Sequence, residues 1–108
     1  MRRTTVEARK AQIVAAAYQV AVEVGLYKVT QELVAERVGV TRALVTGYFK
    51  ADDLRAAVVE HAVKAVEIDS QNRADYLRII GCGYAFSIPE ALNAPDDIKR
   101  AAVNSLLV

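Results

Sequence analysis

The segment Thr30-Gln31-Glu32-Leu33-Val34-Ala35-Glu36-Arg37-Val38-Gly39-Val40-Thr41-Arg42-Ala43-Leu44-Val45-Thr46-Gly47-Tyr48-Phe49 decides the fold. Thr30 is an N-cap candidate, followed by Gln31 and by Glu32, an acid in the first turn where the helix dipole favours it. The spacing predicts a helix over 31–38 that turns Leu33, Val34 and Val38 inward. Gly39 breaks it, Val40 plugs the core, and Thr41 caps a third helix running to about Tyr48. Two short helices joined by a glycine-containing turn make a helix-turn-helix.

The flanks extend this reading. Upstream, Thr4-Thr5-Val6-Glu7 reads as a capping box with Thr4 at the N-cap. The first helix should run to Val24, with Ile13, Ala17, Val20, Ala21 and Val24 in one stripe, and end at Gly25. Downstream, a fourth helix starts near Ala51-Asp52-Asp53, carries Leu54, Val58, Ala62 and Ala65 on one face, and ends between 68 and 72. Asn72-Arg73-Ala74-Asp75 reads as a further capped start, for a helix with Tyr76, Leu77, Ile80 and Tyr84 that Gly81 and Gly83 weaken. Ser87-Ile88-Pro89-Glu90 reads as a second capping box, and Pro95-Asp96-Asp97 opens a last helix with Ile98, Ala102 and Leu106 in register. The expected fold is all-α: a three-helix head over 1–50, then a long fourth helix and two or three short ones over 51–108, packed as one compact unit.

Composition narrows the class. At 108 residues there is room for one small domain. A single Cys excludes a disulfide framework or multi-Cys zinc site and suits a reducing compartment. No apolar run approaches the roughly 18–20 residues of a membrane span, and Met1-Arg2-Arg3-Thr4-Thr5 leads into no apolar signal segment. The expectation is a soluble cytoplasmic protein with no membrane partner. Residues 1–50 carry eight basic groups against four acids, a net of +4, whereas 51–108 carry six against nine, a net of −3. The basic half suits a polyanion, although ordinary solvated helix faces account for such a charge equally well.

From Gln12 to Leu54 the chain resembles the N-terminal DNA-binding domain of TetR-family transcriptional regulators. The resemblance rests on Ile13-Val14-Ala15-Ala16-Ala17, Glu23-Val24-Gly25, Val29-Thr30, Val34 through Thr41, Tyr48-Phe49 and Leu54, in order and without a gap. It implies a sequence-specific double-stranded DNA-binding regulator, a repressor of bacterial, plasmid or phage origin, acting at the nucleoid. Within the recognition helix, Val45 and Phe49 should anchor, leaving Arg42, Ala43, Leu44, Thr46, Gly47 and Tyr48 outward. Arg42 is the best base reader, since guanidinium engages guanine O6 and N7 together. Leu44 suits a thymine methyl, or else is a second core residue. The base-reading set is Arg42, Ala43, Leu44, Thr46 and Gly47. The phosphate set is Thr30, Thr41, Tyr48 and Lys50, with Arg2 and Arg3 as a basic arm.

The chain departs from the family pattern in four respects. It has Thr46 where Tyr is usual, Ala43 where Gly is usual, and Asp52 where Lys is usual. Exchanging a phosphate-facing cation for an acid should weaken nonspecific affinity and flatten its salt dependence, with Lys50 compensating. About 40 residues follow the fourth helix, fewer than the family's ligand-binding body needs, so no small-molecule effector is expected. The apolar second half, from Leu77 to Val108, should be covered by a two-fold homodimer, which would also set two recognition helices about one DNA turn apart.

Other residues carry no chemistry on this reading. His61 is a packed core histidine, Cys82 a small apolar residue, and Asp52-Asp53 and Asp96-Asp97 are helix starts. No catalytic residue, metal site or cofactor is expected. The alternative function is a helical protein-interaction module, an antitoxin or adaptor, whose helix-turn-helix head is structural.

Overall fold

The computed structural model describes residues 5–85 and 87–106, and among these it contains helices and no strand. The fold is all-α. Helix α1 spans Val6–Val24, α2 Gln31–Val38, α3 Arg42–Tyr48, α4 Ala51–Ile68, α5 Arg73–Ala85, α6 Pro89–Leu92 and α7 Asp96–Leu106. Single 3₁₀ turns at Leu26–Lys28 and Ser70–Asn72 join α1 to α2 and α4 to α5.

Caps set the boundaries of the first three helices. The expected Thr4 cap lies outside the described residues; α1 is capped by Thr5, whose Oγ1 accepts from Ala8 N–H at 3.1 Å. The third position of the helix is then Ala8, not Glu7, and a single cap replaces the expected reciprocal box. Thr30 Oγ1 accepts from Leu33 N–H at 3.1 Å and Thr41 Oγ1 from Leu44 N–H at 3.2 Å, so α2 and α3 start where expected. Gly39, at φ +84°, ends α2 in the left-handed region.

Gly25 ends α1 at φ +100° and ψ 149°, a conformation essentially confined to glycine. A Cβ here would lie 2.5 Å from Cε1 of the Tyr27 ring. The exposed ring can swing aside, but the backbone strain remains. Gly25→Ala is therefore expected to destabilise by about 1–3 kcal/mol, seen as a lower Tm in thermal unfolding. An unchanged Tm would show that the turn relaxes at no cost.

One buried cluster runs through the whole chain. Ile13, Ala17, Val20 and Ala21 of α1 meet Leu26, Val29, Val34, Ala35 and Val45 of the head, and Leu54, Val58, Val59 and Ala62 of α4. Tyr76, Ile79, Ile80, Ile88, Ala91 and Ala102 continue it into the C-terminal helices. Three inward assignments need adjustment. Leu33 is exposed, and Ala35 takes its place beside Val34 because only one side of the eight-residue α2 faces α1. Val24 is exposed where the chain leaves α1, and Ala65 is only half-buried.

The second half differs more from expectation. Asn72 does not cap α5; it sits in the 3₁₀ turn, and its Nδ2 donates to the Ala65 carbonyl at 3.0 Å, closing the end of α4. Ser87 does not cap α6. It has φ +58°, and Ile88, buried in the core, is the N-cap, without a side-chain cap bond. The Ile88 N–H donates to the Gly83 carbonyl at 2.9 Å, which pulls the chain back onto α5. Helix α5 runs through both glycines: a Cβ on Gly83 would lie 3.0 Å from the Ala91 Cβ and from Val59 Cγ2, so the absent side chain admits α4 and α6. The chain itself buries Ile79, Ile80 and Ile88 and half-buries Leu77 and Ile98; Leu92 and Val103 remain exposed. Much of the apolar surface expected to need a partner is thus covered within the chain by α5 packing on α4 and α7.

His61 packs against Tyr18 of α1 in a tilted ring contact, centroids 4.7 Å apart and planes inclined by 58°. Burial, with the nearby Lys64 cation adding to it, pushes its pKa below the ordinary 6.5. The unfolded chain therefore takes up a proton at higher pH than the folded one, so the contribution is full above pH 6.5 and lost as pH falls toward the folded value. His61→Phe is expected to keep the ring contact and flatten the fall in Tm between pH 7 and pH 5.5. An identical fall in both proteins would place the titration elsewhere.

Candidate nucleic-acid interface

Helix α3 is seven residues long and held at both ends. Val45 is fully buried, and Tyr48 and Phe49 pack half-buried against the core. Beyond the helix, the Phe49 carbonyl accepts from Gln31 Nε2 at 2.8 Å, tying the end of α3 to the start of α2. A second tie joins α1 to the far end of α2: Arg37 Nη2 and Nη1 donate to the two Glu23 carboxylate oxygens at 2.7 and 3.0 Å. The Arg37 hydrogen bond holds the exposed Glu23 carboxyl below its usual range. The three helices of the head are therefore fixed by the core and by side-chain bonds between their ends.

This anchoring decides what α3 shows to solvent. At 100° per residue, Arg42, Thr46, Ala43 and Gly47 fall on one contiguous arc of about 140°. All four are exposed. The arc carries one guanidinium, two small methyl-bearing side chains and one residue without a side chain. Such a surface lets a helix backbone approach base edges closely while a single long cation reaches further. Leu44 lies at the edge of this arc and is half-buried.

Of the residues expected on phosphates, Thr30, Thr41 and Lys50 are exposed at the starts of α2, α3 and α4. The Oγ1 atoms of Thr30 and Thr41 already accept capping bonds, which leaves their hydroxyl protons to donate. Tyr48 differs from expectation: it packs against the core and is half-buried rather than turned fully outward. Arg2 and Arg3 lie outside the described residues. Asp52, the acid at the start of α4, is 99% exposed, and Arg55 Nη1 approaches its Oδ1 at 3.4 Å, so part of its charge is balanced within its own helix.

Sequence reasoning missed two groups. Gln31 was read only as a first-turn residue, yet it bridges to α3. Glu32 was read as a dipole partner, yet its Oε1 lies 3.1 Å from Arg42 Nη1. Neither contact follows from helical spacing, because each crosses the turn. Among the described residues, no group of three His, Cys, Asp or Glu side chains is placed to hold a metal ion, and no helix is long and apolar enough to cross a membrane.

Residues 13–53 match the family of bacterial regulatory proteins, tetR family. No curated protein and no solved structure matches the chain. The matched segment begins within α1, spans the helix-turn-helix and ends in the first turn of α4, so it coincides with the part of the molecule that holds and presents α3. Residues 13–53 are thus similar to the helix-turn-helix domain of the tetR family of bacterial regulatory proteins.

Proposed function

We propose that the protein is a sequence-specific double-stranded DNA-binding repressor that acts in the cytoplasm as a homodimer on a pseudo-palindromic operator. The observation that carries the reading is the exposed arc of α3, with Arg42 at its N-terminal end and small residues behind it, on a helix rigidly seated through Val45. Residues 1–50 serve as the DNA-binding head and 51–108 as the dimerisation region. In that division Arg42, Ala43, Leu44, Thr46 and Gly47 face bases, while Thr30, Thr41, Lys50, the hydroxyl of Tyr48 and the Arg2–Arg3 arm meet phosphates. Repression is steric: two protomers occupy the operator and exclude polymerase. The reading needs no small-molecule effector.

The dimer is supported by Leu92 on α6 and Val103 on α7, which stay exposed. It is supported also by the symmetry argument that a two-fold axis sets two α3 helices one DNA turn apart on the half-sites of a pseudo-palindrome. One observation favours a second reading: the exposed Asp52 and Asp53 stand two and three residues after Lys50, where a polyanion would be repelled. On that reading the head is a scaffold for a protein partner.

Selection of bound duplexes from a random pool, read by sequencing, separates the two. An enriched inverted repeat supports the repressor dimer and supplies its operator. No enrichment at low salt, with folded protein, supports the interaction module instead.

A further inference from the structure

The ion pair between Glu32 and Arg42 is poorly explained by stability. Its Nη1–Oε1 distance is 3.1 Å, but the side chains are 63% and 70% exposed, and such pairs contribute little to folding. The two ends of the pair are also unequal. Glu32 stands in the first turn of α2, where the positive helix end favours a carboxylate. Arg42 is the first residue of α3, where the same field disfavours a cation. An arginine held at that end against its local preference is held for what its guanidinium reaches.

We propose that Glu32 is a specificity-determining positioning residue, which holds Arg42 by Nη1 and leaves the Nη2 and Nε side of the guanidinium to read a base edge. The inference rests on the DNA-reading role proposed above. Its chemistry has two parts. A carboxylate on one nitrogen restricts the rotamers of a long side chain, so less freedom is lost when Arg42 meets its base. The same carboxylate keeps Arg42 from turning to a phosphate, which every sequence offers, and adds a repulsive charge near the backbone that every sequence feels. Glu32 thus lowers affinity for wrong sequences more than for the right one. Arg42 supplies the contact, and Glu32 makes it selective.

The test compares the full chain with Glu32→Gln, Arg42→Ala and the double variant on a panel of duplexes carrying each base pair in turn at every position of the selected site. Glu32→Gln is expected to bind random duplex more tightly, to steepen the dependence of log K on log salt by about 0.9, and to lose about fivefold of the preference at one base pair. In the Arg42→Ala background the Glu32→Gln change should leave base preference unmoved, because the group it positions is gone. An unchanged melting temperature in Glu32→Gln separates this result from a folding defect. If the wild-type chain selects a site and Glu32→Gln keeps its base preference, or loses it equally without Arg42, the inference fails and the DNA-reading role stands. If the wild-type chain selects no site, both fail together.

Discussion

Leu54→Ala is expected to lower the unfolding free energy by about 3 kcal/mol and the melting temperature by on the order of 15 °C. Leu54 is fully buried in the first turn of α4, in the cluster that also contains Ile13 of α1, Val34 of α2 and Val45 of α3. Truncation removes the transfer energy of the lost carbons and leaves a cavity in the core, where α4 packs on α1, so collapse into the gap is poor. Against a total stability of about 5–15 kcal/mol for a typical domain, the loss is large. Because the same cluster seats Val45, duplex binding should fall with the folded fraction and return on cooling. Leu54→Met, which conserves volume, should cost less than about 1.5 kcal/mol. Equal melting temperatures for the two variants would show that the packing at this site is loose and that α3 is seated by something else.

The parts of this fold that were legible in the sequence are those fixed by local chemistry. Thr30, Gly39 and Thr41 each act on a backbone group within four residues, so reading them in order yields α2 and α3 with their observed bounds. The start of α1 was less legible because two adjacent threonines offer the same cap, and the spacing to Glu7 pointed to Thr4 whereas Thr5 caps the helix. Ser87 misled for a different reason. Its spacing to Glu90 matches a capping box, but the backbone there answers to Ile88 entering the core and to the Gly83 carbonyl, and both are tertiary effects. Gly81 and Gly83 misled in the same way: helix propensity counts their flexibility as a weakness, whereas Gly83 is where α4 and α6 approach α5.

The candidate interface divides along the same line. That Val45 turns inward, and that Arg42, Ala43, Thr46 and Gly47 turn outward, follows from the period of a helix with one anchored side. Tyr48 was harder, because it stands at the last turn, where inward packing and outward display compete for one long side chain. It packs against the core as Phe49 does. The Glu32–Arg42 and Gln31–Phe49 contacts span ten and eighteen residues across the turn, and only the docking of α2 against α3 brings them together. What a helix presents was therefore readable, and what steadies the presented group was not.

Arg42→Ala and Lys50→Ala are expected to fail in different ways, and the contrast tests the placement of α3 on DNA. Arg42, the first residue of α3, is the one long cation on the exposed arc described above. If it meets a base edge, its removal should cost about 1–3 kcal/mol at one base pair and little elsewhere, roughly a five- to 150-fold loss on the best site with a flattened preference at that position. Lys50 stands past the end of α3 as the N-cap of α4, beside the exposed Asp52 and Asp53. If it meets a phosphate, its removal should weaken every duplex by a similar factor and reduce the salt slope by about 0.9 without changing the preferred sequence. Binding of both variants to matched and mismatched duplexes at several salt concentrations gives the answer. Should Lys50→Ala alter base preference while Arg42→Ala alters only the salt slope, the end of α3 nearest α4, and not its N-terminus, faces the groove. The exposed acids at the start of α4 would then be the groups that reject the wrong sequence.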